Sequence, residues 1–109
     1  EQEFDGKMDV NLSGKNLTDE DALAIGELLK SNNTLMTLNL RNNNITDDGG
    51  IQSIIDGLKT NNTLNTLDLP NNQLSDNMIS QLKAIQRYKR DGSNGYQQVE
   101  EMRIVTSVW

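Results

Sequence analysis

A recurring pattern limits what this chain can fold into more than any other feature. Leu35, Leu38, Leu40, Asn43 and Ile45 stand at the fixed positions of L-x-x-L-x-L-x-x-N-x-L, and Leu64, Leu67, Leu69, Asn72 and Leu74 repeat them 29 residues later. Upstream, Val10, Leu12 and Leu17 occupy equivalent places, with Lys7 and Lys15 where the full copies carry Leu and Asn. Downstream, Val99, Met102, Ile104, Ser107 and Trp109 fit a fourth time, with Ser for Asn and Trp for the last apolar residue. Two complete copies between two degraded ones is the order expected of an array with end-capping units. At 109 residues the chain holds one domain.

Within each copy the apolar residues alternate as in a short strand, and the segments between copies have helical spacing. Leu17 is followed by Thr18 and Asp21 at capping-box spacing, then by Ala22, Ile25, Leu28 and Leu29. Ile45 is followed by Thr46, then Ile51, Ile54, Ile55 and Leu58; Leu74 by Ser75, then Ile79, Leu82 and Ile85. Thr18, Thr46 and Ser75 are placed to accept the first free amides of a helix. The expected fold class is therefore α/β: a short right-handed solenoid with about four parallel strands on a concave side and three helices on a convex side. Residues 1–7 read as an N-terminal tail and 8–109 as the repeat domain, with units starting near 7, 35 and 64 and a truncated capping unit near 99. Asn43 and Asn72 are expected to turn their amides inward to bond backbone groups in the turns. The register sends Trp109 into the core as a closing cap; the competing reading makes Thr106–Trp109 a carboxy-terminal peptide ligand.

With Leu35–Asn44 and Leu64–Gln73 in view, the sequence resembles leucine-rich-repeat proteins of the ribonuclease-inhibitor-like subfamily. Asn43, Ile45, Asp47 and Gly49 also match that group's N-x-I/L-x-D-x-G signature. The resemblance covers roughly residues 8–109 and implies a protein-binding role for the concave strand face. The chain departs from the family in its short array, its weak first unit, and a third unit lengthened to 35 residues by Arg90–Gln98.

Strand geometry then nominates the binding residues. One row holds Asp9, Thr37, Thr66 and Glu101, a second Asn11, Asn39, Asp68 and Arg103, and a third Ser13, Arg41, Pro70 and Val105. Asp68 and Arg103 are expected to form a cross-strand ion pair, and Pro70, which cannot donate to a ladder, to mark a strand end. The expected function is a non-enzymatic module that binds another protein. The alternative is assembly, including self-association, through an exposed edge at Met8–Leu12 or Met102–Val105, or through the C-terminal tail.

Composition narrows the partner. Sixteen acidic residues against ten basic ones give a net charge of -6, which argues against nucleic acid and against anionic lipid. No stretch approaches the roughly 18 apolar residues of a membrane span. With no cysteine and no histidine, zinc sites built on those residues, thiol chemistry and histidine acid–base work are excluded. Absence of cysteine fits a cytoplasmic setting, the alternative being a bacterial effector acting in a host cytosol. No cofactor or metal is expected. Gly49-Gly50, Gly92 and Gly95 lack phosphate-loop spacing and its lysine. A calcium loop through Asp91–Tyr96 would put Arg90 and Gly92 where carboxylates are needed. Asp19–Asp21 and Asp47-Asp48 are expected in first helical turns, and Lys83, Arg87, Lys89 and Arg90 as a solvated cationic helix end.

Overall fold

The computed structural model describes residues 6, 8–92 and 98–107. Strands and helices alternate along it: β1 (Asp9–Asn11), α1 (Asp19–Ser31), β2 (Thr37–Asn39), α2 (Gly50–Thr60), β3 (Thr66–Asp68), α3 (Asp76–Asp91) and β4 (Arg103–Val105). The strands form one parallel sheet in chain order, as βα crossovers between neighbouring parallel strands require. Each strand is three residues long, yet the ladder runs past its ends. The amides of Leu12 and Gly14 donate to the carbonyls of Asn39 and Arg41, and those of Leu40 and Asn42 to Asp68 and Pro70.

Alternation puts Val10, Leu38, Leu67 and Ile104 opposite one another across the sheet, all buried. They share one core with Leu35, Leu40, Leu64 and Leu69 and with Ala22, Ile25, Leu29, Ile51, Ile54, Leu58, Leu82 and Ile85 from the helices. Lys7, residues 93–97 of the Arg90–Gln98 insertion, which include the calcium-loop segment from Ser93 to Tyr96, and Trp109, whether cap or ligand, lie outside the described residues.

The turns following the strands leave backbone groups without a ladder partner, and asparagine side chains take them. Asn43 Oδ1 accepts the amides of Lys15 and Leu17 at 3.0 and 2.9 Å, while its Nδ2 donates to the carbonyls of Leu12, Leu40 and Arg41. Asn72 Oδ1 accepts the Ile45 amide at 2.9 Å, and its Nδ2 donates to Leu40 and Leu69. Both amides turn inward to bond backbone groups, as expected, and in doing so each ties its own unit to the preceding one. A second bridge at the helix ends was not expected: Asn61 Nδ2 donates to the carbonyls of Leu29 and Asn32, both at 2.9 Å.

Two helix starts follow the sequence. Asp21 accepts the Thr18 amide at 2.9 Å, and Ser75 Oγ accepts the Met78 amide at 3.1 Å. The third does not. Helix α2 begins after Gly49, at φ 92°, so Thr46 is not its cap and Asp47-Asp48 precede the first turn. The extra residue that lengthens this unit is absorbed in the Asp47–Gly49 turn, closed by the Gly49 amide on the Asp47 carbonyl at 2.8 Å. Freed from the helix, Thr46 gives its amide and hydroxyl to Asp19 at 2.7 and 2.6 Å. Asp47 accepts the Ser75 amide at 3.0 Å, and hydrogen bonding from the Ser75 side chain, with that amide second, holds its carboxyl below the usual value.

Helices α1 and α2 approach closely because glycine faces glycine. A Cβ on Gly57 would lie 2.5 Å from the Gly26 carbonyl oxygen and 2.9 Å from Leu29 Cβ. Gly57→Ala is therefore expected to lower the unfolding free energy by about 1–3 kcal/mol, despite the better helix propensity of alanine. Urea unfolding checks this, and an unchanged midpoint would contradict the close approach.

Candidate protein-binding face

The sheet face turned away from the helices carries the side chains that alternate with the buried row. Asp9, Thr37, Thr66 and Arg103 occupy one row, and Asn11, Asn39, Asp68 and Val105 the next. Asp9, Asn11 and Arg103 are exposed; Thr37, Asn39, Thr66, Asp68 and Val105 are half-buried. The continued ladder sets half-buried Arg41 between Ser13 and Pro70 in a third row.

Eight of the nine residues nominated from sequence, all but Glu101, lie on this face, but β4 sits two residues from its expected register. Arg103 stands opposite Thr66 rather than Asp68, and Val105 opposite Asp68 rather than Pro70. Glu101 lies outside the sheet, exposed, in the turn before β4. The shift has a physical cause. The Met102 amide bonds the Val99 carbonyl at 3.1 Å, so the apolar pair Val99 and Met102 fills the core from a turn instead of from a strand. Ile104 is left to oppose Leu67, and a shift of two keeps it facing inward. The expected Asp68–Arg103 ion pair is consequently not formed; among the described residues the ion pairs are Lys30–Glu27 and Lys59–Asp56.

Pro70 does more than end a strand. In the first two units an asparagine folds over its own turn: Asn11 Oδ1 accepts the Ser13 amide, and Asn39 Oδ1 the Arg41 amide, each at 3.0 Å. In the third unit the acceptor is Asp68 and residue 70 has no amide to give. The Asp68 carboxylate is left without a hydrogen-bond or ion-pair partner among the described residues. Arg41 is its complement: Nε is buried and finds no acceptor. Sequence reasoning located both residues but missed this release, although Asp-x-Pro against Asn-x-Arg was the available signal.

The two ends of the sheet differ. The Ile104 amide, on the far side of β4 from β3, donates to Gln86 Oε1 of α3, and Arg90 Nε donates to the Met102 carbonyl at 2.6 Å. Helix side chains thereby cover the Met102–Val105 edge. Two cations expected on a solvated helix end are structural instead: Arg90 makes this bond, and Lys89, 1% exposed, donates from Nζ to the Asn61 carbonyl at 2.7 Å. Lys89 does for α3 what Asn61 does for α2, bridging back to the preceding helix end. Met8, ahead of β1 at the opposite edge, is 57% exposed.

A solved structure titled "Leiomodin-1 Actin-Binding Site 2 (ABS2)" is similar, with a TM-score of 0.69 and 23% identity over 94% of this chain. The chain spans 54% of that one, about half its length, and the likeness shows the fold. No family model matches, and neither does any curated protein. Among the described residues no helix is long and apolar enough to cross a membrane.

Burial pushes the Lys89 amine below its ordinary 10.5. The unfolded chain holds this proton to higher pH than the folded one, so stability gains from Lys89 as pH rises from the lowered value towards 10.5. Lys89→Met, which strands the Asn61 carbonyl, is expected to cost about 1–3 kcal/mol at neutral pH and to abolish that alkaline gain. Urea midpoints of the two proteins across the alkaline range check both; parallel curves would contradict the burial.

Proposed function

We propose that the chain is a leucine-rich-repeat module of the ribonuclease-inhibitor-like kind that binds another protein through its open strand face and performs no chemistry itself. The observation that carries this is the unmet bonding capacity of the face: neither the Asp68 carboxylate nor the Arg41 guanidinium on the adjacent strand has a hydrogen-bond or ion-pair partner among the described residues. Repeats of 28–29 residues, each contributing a parallel strand and tied by an inward asparagine, support the family reading. The actin-binding title of the leiomodin neighbour supports a protein as partner. The lack of cysteine suits a reducing compartment such as the cytosol.

The second reading, assembly through a strand edge, is favoured only at β1. Parallel pairing with β2 leaves the backbone groups of Asp9 and Asn11 on the far side, whereas the β4 edge is covered by Gln86 and Arg90.

Pull-downs from native lysate with wild type, Asp68→Lys and Arg41→Glu distinguish the two. The face reading expects both variants to lose a shared partner about tenfold or more while keeping the wild-type urea transition. Full retention of that partner by both variants would refute it.

A further inference from the structure

The geometry points to the chemistry of the partner: an extended peptide segment that presents a carboxylate to Arg41 and a cation to Asp68. This rests on the open-face reading and specifies it. Arg41 is half-buried, with a buried Nε that meets no acceptor. With Nε closed off from solvent, a partner meets the two terminal Nη groups, which make no hydrogen bond or ion pair among the described residues, and their parallel N–H groups favour a planar, charged acceptor, a carboxylate. The neighbours of Arg41 do not supply one. Ser13 and Pro70 flank it in its row, and the Asn39 Oδ1 beside it is already occupied by the Arg41 backbone amide.

Asp68 makes a purely acidic partner unsuitable. Asp68 is half-buried, its carboxylate released by Pro70 from the turn bond that Asn11 and Asn39 make, and Arg103 is displaced to the next row. Arg41 and Asp68 do not pair with each other. They sit on adjacent strands, two residues apart along the sheet, because Asn39 is the residue in register with Asp68. Sheet spacings place their Cα atoms about 8 Å apart. In an extended peptide, residues i and i+2 point the same way and lie about 7 Å apart. The complement is therefore an acidic and a basic residue at i and i+2, in either order along the chain. Small neighbours, Thr37 and Thr66, leave room for the peptide backbone to lie across the strands.

The test is selection of a random twelve-residue peptide display library against wild type, Arg41→Gln, Arg41→Lys and Asp68→Asn, with Thr66→Arg as a variant that obstructs the face. Gln and Lys at 41 keep the backbone amide that bonds Asn39, so the turn is undisturbed. Peptides enriched on wild type are expected to carry Asp or Glu two residues from Lys or Arg. Arg41→Gln should erase the acidic preference and weaken those peptides about tenfold. Arg41→Lys should retain part of it, and Asp68→Asn should erase the basic preference alone. Enriched peptides that are blocked by Thr66→Arg but show no charge pair would overturn this inference and leave the face reading standing. Peptides indifferent to Thr66→Arg would overturn both, as would a library that yields no enrichment.

Discussion

Everything in this structure depends on side-chain amides supplying what three-residue strands cannot. A coil that turns sharply after so short a strand buries amides and carbonyls that have no ladder partner. Asn43 and Asn72 satisfy several of these each, in their own unit and in the one before. Leaving such groups unpaired costs about 1–3 kcal/mol apiece, comparable to burying one of the leucines. Hydrophobic burial drives the units together, while the asparagines decide at which offset they meet. Asn61 and then Lys89 extend the same logic to the helix ends, where a long amine replaces a short amide in the third unit.

The periodic parts of this arrangement were legible from sequence because they follow from residue spacing. Leu38 and Leu67 had to point inward if Leu40 and Leu69, two residues on, did, and all four are buried. The register of β1, β2 and β3 follows directly. What spacing could not show was how the backbone of a unit of irregular length rearranges around its extra residues. In the second unit the surplus goes into the Asp47–Gly49 turn, which converts Thr46 from the expected helix cap into a donor to Asp19. In the last unit Val99 and Met102 satisfy the apolar pattern from a turn, so β4 slides by two and Glu101 leaves the sheet. Both alternatives keep the same side chains inside. Hydropathy alone therefore does not separate them.

The left-handed turn residues tell a related story. Gly14, Asn42 and Asn71 adopt positive φ at the same place in successive units, and Asn71 Nδ2 donates to Asn42 Oδ1 at 2.7 Å. Asparagine tolerates this region better than most residues, so the paired asparagines at 42–43 and 71–72 serve two ends: one bends the chain and the next forms the bridge. The same economy leaves the open face polar and mostly self-satisfied, except where Pro70 interrupts it. Function, on this account, concentrates at the place where the repeat breaks its own rule, between Arg41 and Asp68. The β4 edge is covered by Gln86 and Arg90, while among the described residues no side chain bonds the outer edge of β1, so the two ends of the sheet differ.

The central claim, that asparagine amides hold successive units in place, is tested most directly by native-state hydrogen exchange at Leu17 and Ile45. Neither amide lies in a strand or helix, and each donates to a side chain of the following unit, Asn43 or Asn72. The account predicts that both exchange only through global unfolding, at rates matching the core amides of α2. Exchange at the rates of an exposed loop would contradict it.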